Sequence, residues 1–145
     1  MIRETQEQDR EGVVELIREF YLEELSDYGY TFSYEKACED FGKAIQIPCV
    51  YSLVIDSGSI DGFIGAIISE RMFLSGNTAQ ELMWYVTKEK RTKGMRLLQE
   101  FEKGCLERGC DDIMMIGLEG SKVNKVYELM GYKRQESMYF KKLGG

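Results

Sequence analysis

Residues 81–106, ELMWYVTKEKRTKGMRLLQEFEKGCL, contain the pattern that says most about the architecture of this chain. A β-rich run at residues 81–87 carries the one tryptophan. The next nine residues, 88–96, hold five cationic side chains and one acidic side chain around Gly94. Apolar residues then recur at helical spacing, at Met95, Leu98, Phe101 and Cys105 or Leu106. The stretch therefore predicts a strand, a basic loop that contains glycine, and a helix.

The start of this helix has the properties of an anion-binding site. N–H groups of a first helical turn are unpaired, the helix dipole adds positive potential, and Gly94 lets a ligand approach the backbone. Residues 88–96 carry a net charge of +4, which leaves -10 on the rest of a chain whose total is -6. A solvated basic turn would have the same composition. The contrast with the acidic remainder favours a polyanionic small ligand such as a pyrophosphate.

The N-terminal part predicts a strand and two helices. A short strand at residues 2–5 leads to Asp9, a good N-cap for a helix with apolar residues at helical spacing. The glutamates of this helix, among them Glu19 and Glu23, are interpreted as a solvated face. A second helix is capped by Ser33 and ends before Pro48, the only proline of the chain.

The middle of the chain predicts antiparallel strands, and the part after them predicts β-α-β units. Residues 49–55 and 60–69 flank an Asp-Ser-Gly-Ser turn and are typical of a hairpin. A polar loop at residues 71–79 leads to the strand at 81–87. The helix that follows ends at Gly109, and a run of isoleucine and methionine predicts a buried strand at residues 112–118.

The C-terminal part predicts one more helix and the end of the sheet. The helix opens at Gly120-Ser121 and stops at Gly131. Residues 132–140 predict one or two closing strands. The order β-α-α-β-β-β-α-β-α-β describes an α/β or α+β protein, and its length of 145 residues predicts a single domain over residues 1–145.

The composition removes several classes of function. Without histidine, the chain lacks Ser-His-Asp and Cys-His catalysis, His-ligated zinc and an imidazole base. The four cysteines form no Cys-x-x-Cys pair, which is typical of reduced thiols in the cytoplasm. We expect no signal peptide and no membrane span, because no apolar run approaches ~18 residues. The acidic balance argues against nucleic acid as a partner.

Several stretches together resemble the GCN5-related N-acetyltransferases. Residues 84–94, WYVTKEKRTKG, followed by LLQEFE at 97–102, are similar to the acetyl-coenzyme A loop of that family, Q/R-x-x-G-x-G/A between the fourth strand and the third helix. YELMGY at residues 127–132 is similar to the family's Y-x-x-x-G-F/Y segment. The loop departs from the family pattern, since it is about two residues shorter and Arg96 stands where a small residue is usual.

The resemblance implies a fold and a coenzyme. The fold would be a mixed, mostly antiparallel central sheet of six to seven strands flanked by about four helices. A splay between the fourth and fifth strands would admit the pantetheine arm of acetyl-CoA, and no metal is implied. The residues that the resemblance assigns to the coenzyme are Trp84, Tyr85, Val86, Arg91, Thr92, Lys93, Gly94, Met95, Arg96 and Asn124.

The same resemblance implies two catalytic groups. Tyr127 is at the position where the family commonly places a general acid for the leaving thiolate, and its phenol is protonated at neutral pH. A core tyrosine at helical spacing with Val123 and Met130 is the alternative. Glu81 is similar in position to a catalytic glutamate that acts as base, often through water. A surface carboxylate at a strand end is the alternative.

The predicted acceptor site lies among the first two helices and their connection, with the loop at residues 71–79 as another wall. Tyr28, Tyr30 and Tyr34, with acidic neighbours, would form an aromatic pocket for an amine, although aromatic residues there could equally be packing. The resemblance implies transfer of an acetyl group to a primary amine of a small molecule or protein. The alternative is a weak or inactive acyl-CoA- or nucleotide-binding module that acts in protein interaction. A homodimer is possible, and we expect no membrane or nucleic-acid partner.

Overall fold

The computed structural model describes residues 1–144. Its strands are β1 Ile2–Glu4, β2 Val50–Asp56, β3 Ile60–Glu70, β4 Asn77–Val86 and β5 Asp112–Met114. Its α-helices are α1 Arg10–Phe20, α2 Tyr34–Ala44, α3 Gly94–Glu107 and α4 Val123–Leu129. Short 3-10 helices cover Glu7–Asp9, Ser26–Tyr28 and Lys88–Lys93, and a π-helical turn covers Tyr21–Leu25. None of the helices within residues 1–144 has the length and apolar character needed to cross a bilayer.

The five strands form one sheet in the order β1-β2-β3-β4-β5. The first four strands are antiparallel neighbours, and β5 runs parallel to β4. The predicted α/β class and the mixed, mostly antiparallel sheet with four helices are confirmed. The strand number is lower than the six to seven predicted, because the described residues after α4 form no strand.

A bulge between β3 and β4 determines which way the side chains of β4 point. Ala66 lies opposite Glu81 and Gly65 lies opposite Met83, so β4 has one extra residue, Leu82, at this point. Strict alternation would place Glu81 on the same face as Met83. The bulge instead places it on the face of Ala66, which belongs to the core beneath α3.

The sheet buries both of its faces. On one face, Leu97, Leu98 and Phe101 of α3 pack against strand residues such as Ile64. On the other face, Val13 and Val14 of α1 and Phe41 of α2 pack with Val54 of β2. The predicted face of α3 is partly wrong: Leu97 is buried and Met95 is exposed, because the helix begins only at Gly94. Cys105, and not Leu106, continues the buried face.

The helix ends mostly follow the predictions. The Ser33 hydroxyl accepts a hydrogen bond from the N–H of Lys36 at 3.2 Å and caps α2. Gly109 and Gly131 follow α3 and α4 with φ of 82° and 91°, a conformation that favours glycine. Asp9 is the N-cap residue of α1, as predicted, but its side chain does not cap the helix. Its buried carboxylate makes no bond to α1 and instead binds the guanidinium of Arg3.

Three boundaries differ from the predictions. β4 begins at Asn77, so residues 77–79 belong to a strand although they are polar or small. β5 ends at Met114 and not at residue 118, because the chain there diverges from β4. No strand is formed by residues 132–144. Phe140 of this segment packs instead on Tyr28, with ring centroids 5.7 Å apart.

Candidate functional site

The divergence of β4 and β5 creates an open strand edge. The two strands pair only between residues 78–80 and 112–114. β4 continues to Val86 with β3 as its partner. Within residues 1–144, the opposite edge of β4 therefore has no strand beside it from Glu81 onward. Such an edge presents unpaired backbone N–H and C=O groups to a ligand.

Glu81 and Tyr127 meet at the point where the strands separate. The Tyr127 hydroxyl lies 3.1 Å from Glu81 Oε1 and 2.9 Å from the carbonyl oxygen of Ile116. The N–H of Ile116 donates to the same Glu81 oxygen at 3.2 Å. The bulge of β4 orients Glu81 and α4 orients Tyr127, so the structure brings the two predicted catalytic residues together. The alternatives of a solvent-facing carboxylate and of a tyrosine with only packing contacts are not what this geometry shows.

Burial changes the acid–base properties of both groups. Desolvation raises the pKa of the Glu81 carboxyl to about 7, although the hydrogen bonds from Ile116 and Tyr127 oppose the change. The pKa of Tyr127 is raised by burial and by the negative charge of Glu81. Glu81 can therefore accept a proton near neutral pH, while Tyr127 stays protonated and able to donate one.

Aromatic side chains form the wall beside this pair. The rings of Trp84 and Tyr127 have centroids 5.7 Å apart, and Tyr132 lies 5.6 Å from Tyr127 on the other side. The Tyr132 hydroxyl donates to Glu102 on α3 at 2.8 Å. Trp84 Nε1 is buried and has no hydrogen-bond partner in the protein. A buried donor without a partner beside an open strand edge is an observation that suits a bound polar ligand.

The basic segment differs from the predicted loop. Residues Lys88–Lys93 form a 3-10 helix that runs directly into α3. A 3-10 helix pairs each N–H with the carbonyl three residues earlier, and Gly94 N–H donates to Arg91 O. The predicted loop conformation is therefore wrong for the residues assigned to the phosphates, which are helical: Thr92, Lys93, Gly94, Met95 and Arg96. Their assignment to the coenzyme stays a prediction.

The cationic side chains of this segment are in two situations. Lys90, Lys93 and Arg96 are exposed, and Arg96 Nε lies 3.4 Å from Glu100 Oε1. Arg91 is engaged within the protein: its guanidinium donates to Glu23 at 2.8 Å and to the carbonyl of Val86 at 3.1 Å. Its Cζ atom lies 5.3 Å from the centroid of the Tyr85 ring. Positive charge is thus available at this end of β4, but Arg91 is not free to contribute it.

The acidic face of α1 is not merely solvated, as its composition indicated. Glu19 accepts a hydrogen bond from the Thr87 hydroxyl at 2.9 Å, and Glu23 also lies 3.6 Å from Lys88. Both contacts join residues 65 or more positions apart in the chain. The alternation of charge along one helix gives no signal of them.

The other residues assigned to the coenzyme are held in internal contacts. Asn124 Nδ2 donates to the carbonyl of Leu118 at 3.0 Å, so it braces the loop between β5 and α4. Tyr85 is buried on the α1 face of the sheet, where its ring packs edge-on against Phe20. Val86 lies at the open strand edge, where its carbonyl oxygen already accepts the hydrogen bond from Arg91.

Two of the three predicted acceptor residues come together. Tyr28 and Tyr30 stack with centroids 6.2 Å apart, and Phe140 packs edge-on against both rings. Tyr34 is separate, with an exposed side chain in the first turn of α2. Phe140 was missed because the sequence placed it in a closing strand. Among residues 1–144, no group of three or more His, Cys, Asp or Glu side chains is arranged to hold a metal.

Comparison with known proteins gives matches in structure. The sequence matches no family model and no curated protein significantly. The BH1408 protein from Bacillus halodurans, as a tetramutant, has a TM-score of 0.83 at 17% identity, with 99% of each chain covered. A GNAT family acetyltransferase from Staphylococcus aureus has a TM-score of 0.74 at 19% identity, over 99% of this chain and 98% of the other.

A third match was solved with a coenzyme A conjugate. AAC(6')-Iy in complex with the bisubstrate analog CoA-S-monomethyl-acetylneamine has a TM-score of 0.77 at 16% identity, over 98% of this chain and 96% of the other. These similarities extend over nearly the whole of each chain. The chain therefore has the fold of the GCN5-related N-acetyltransferases, as its sequence resemblance predicted.

Proposed function

We propose that the protein is an N-acetyltransferase that uses acetyl-CoA to acetylate a primary amine of a small molecule or protein. The observation that carries this proposal is the direct contact of Glu81 with Tyr127 at the open edge of β4. On this fold, the pair combines a base that titrates near neutral pH with a protonated acid. A carboxylate at a surface position would be fully ionised at neutral pH and would be a much weaker base.

The described residues suit the pantetheine end of acetyl-CoA, and they suit its phosphate end only in part. The open edge of β4 beside Trp84 and the unpartnered Trp84 Nε1 suit the amides of a pantetheine arm, while the carbonyl of Val86 is engaged by Arg91. The exposed side chains of Lys93 and Arg96 offer charge to phosphates. We assign the phosphate contacts to side chains more than to backbone amides, because the segment is helical. When bound, acetyl-CoA supplies the thioester carbon that the amine attacks and the thiol that leaves.

The chain's own residues would manage the protons. Glu81 accepts one proton from the ammonium form of the acceptor, which leaves a nitrogen with a free electron pair. Tyr127 donates its proton to the sulfur as the carbon–sulfur bond breaks, and Glu81, 3.1 Å away, returns a proton to Tyr127. The second proton lost by the nitrogen goes to water. The sum is one amide and one thiol, with the pair restored.

The acceptor site follows from the aromatic contact between the α1–α2 connection and the C-terminal segment. Tyr28, Tyr30 and Phe140 provide ring faces and edges that attract an ammonium group. The charge of -10 outside the basic segment favours a cationic acceptor, such as a polyamine, an aminoglycoside or a basic peptide. The four cysteines are free thiols, which supports a cytoplasmic location for the activity.

A second candidate is a module that binds an acyl-CoA or a nucleotide without turnover. The shortened loop favours it, because Arg96 stands where the family pattern has a small residue. Calorimetric titration with acetyl-CoA and an assay of thiol release distinguish the candidates. Binding without thiol release, for every amine tested, would support the second. Absence of binding at tens of micromolar would refute both.

The test of turnover uses free thiol release from acetyl-CoA while a panel of amines is offered. We expect acceleration by at least one cationic amine. Tyr127→Phe retains the ring but removes the proton donor, so it should slow turnover by about 10²- to 10⁴-fold. Tyr139→Phe is the matched control, because its ring is exposed in the C-terminal segment. Equal rates for wild type and Tyr127→Phe would remove the acid assignment.

A further inference from the structure

The connection between β3 and β4 exposes three consecutive apolar side chains. Met72 is 77% exposed, Phe73 96% and Leu74 70%. We call residues 72–74 the apolar finger. Single exposed apolar residues are ordinary on a protein surface, but three in succession at the tip of a hairpin form a patch that usually marks an interaction site. Within residues 1–144, no other side chain covers the finger.

The finger is held in a fixed shape. Phe73 has a φ of 67°, and within residues 1–144 it is the only residue other than glycine with a positive φ. A bulky residue rarely adopts this conformation unless its surroundings require it. The base of the loop supplies the constraint: Arg71 N–H donates to Gly76 O at 3.0 Å, and its guanidinium donates to Ser75 O at 2.7 Å. The strain is therefore used to present Phe73 outward.

A cavity lies on the same edge of the molecule, between α3, β5 and the end of α4. It measures about 260 Å³, and Leu106, Cys110, Ile113 and Met130 line it with apolar surface. This volume admits one aromatic side chain. The finger does not enter the cavity of its own chain, since Phe73 is almost fully exposed.

The finger and the cavity are direct neighbours. Asp111 and Asp112 stand at the rim of the cavity. Asp112 pairs with Arg71 at the base of the finger, and Asp111 accepts from the N–H of Asn77 at 2.9 Å. A two-fold symmetric dimer requires that one surface patch contain both the donor and the recipient of a contact. This edge of the molecule meets that requirement.

We propose that two copies of the chain associate through this edge, with Phe73 of each copy inserted in the cavity of the other. Two phenylalanine side chains bury roughly 300–500 Å² of accessible surface. The cavity walls that they cover, with Met72 and Leu74, bring the total to about the 1,000 Å² that a specific interface needs. Both rim carboxylates already have partners, so association leaves neither without one. An anionic bilayer is a poorer occupant, because the same carboxylates repel it.

Sedimentation velocity of the full-length protein, over a range of concentrations, tests this proposal. We expect a species of twice the monomer mass. Phe73→Gly removes the ring and relieves the positive φ, so the variant should fold at least as well as wild type. Its dimer dissociation constant should rise at least about 100-fold, since two rings are lost from each dimer. Tyr139→Ala, which removes an equally exposed aromatic ring elsewhere, should leave the dimer intact.

Mixing two variants tests whether the finger meets the cavity. Leu106→Glu places a charge at the cavity wall on an exposed helix position, so the helix should be retained. Phe73→Gly alone and Leu106→Glu alone should each be monomeric. In an equimolar mixture, the intact finger of Leu106→Glu can enter the intact cavity of Phe73→Gly. The mixture should therefore form a measurable fraction of dimer. A monomeric wild type, a dimer unaffected by Phe73→Gly, or open-ended oligomers would each overturn the proposal, and flotation of wild type with anionic vesicles would indicate a membrane occupant in its place.

Discussion

The Glu81→Gln substitution should change how the stability of the protein depends on pH. Glutamine has the shape of the carboxylate and can accept the hydrogen bonds from Ile116 and Tyr127, but it does not ionise. In the wild type, burial raises the pKa of Glu81 from 4.5 to about 7. Below pH 4.5, both folded and unfolded chains hold the proton. Between pH 4.5 and about pH 7, the unfolded chain has released the Glu81 proton while the folded chain still holds it. The free energy of unfolding therefore falls as the pH rises toward and through 7.

The size of the effect follows from the same shift. Linkage between pH 5 and pH 8 gives a loss of about 2.5 kcal/mol in the free energy of unfolding of the wild type. The chain has no histidine, so no imidazole titrates in this window. Glu81→Gln should lack this loss, because every other titrating group is shared with the wild type.

Urea unfolding at a series of pH values measures this difference. The gap between variant and wild type should widen as the pH rises from 5 to 8. Glu119→Gln, which neutralises an exposed glutamate, should follow the wild-type curve. Parallel curves for the wild type and Glu81→Gln would show that Glu81 is not buried as described, and the argument for a base that titrates near neutral pH would then be lost.

Two further predictions concern other parts of the structure. Glu23→Gln should tighten acetyl-CoA binding by about 3- to 10-fold at low salt, because it releases Arg91. Calorimetric titration measures this affinity. Glu24→Gln removes the same charge from the same helical turn and should leave the affinity unchanged. Gly104→Ala should lower the free energy of unfolding by about 1–2 kcal/mol, because an added Cβ overlaps the buried Tyr51 ring and this cost exceeds the gain in helix propensity. An unchanged urea midpoint for this variant would contradict the close packing of α3 on β2.

Local patterns predicted the parts of the fold that depend on local contacts. The cap at Ser33 and the hairpin of β2 and β3 rest on residues a few positions apart, and the structure has both. The face of the sheet on which Glu81 lies could not be predicted from the sequence, because one bulged residue, Leu82, reverses the alternation that a strand pattern assumes. The same limit applies to any sheet in which a bulge precedes the residue of interest.

Long-range contacts explain the other differences. The acidic face of α1 was interpreted as solvated, yet Glu23 binds Arg91 across 68 positions of sequence. The basic segment that carries Arg91 is a 3-10 helix, where a loop was predicted from its charge and Gly94. Tyr127 was identified from its motif, but only the structure shows that its hydroxyl lies 3.1 Å from Glu81.

The central claim is that Glu81 and Tyr127 transfer protons during acetylation of an amine. The most direct test is the rate of thiol release from acetyl-CoA with a cationic amine, measured for wild type, Tyr127→Phe and Glu81→Gln across pH 5 to 9. The wild-type pH–rate profile should show an inflection at about pH 7, where Glu81 loses its proton, and Glu81→Gln should lack that inflection and follow only the deprotonation of the amine. Tyr127→Phe should be slower at every pH. An inflection at pH 7 that persists in Glu81→Gln, together with an undiminished rate in Tyr127→Phe, would contradict this role of the pair.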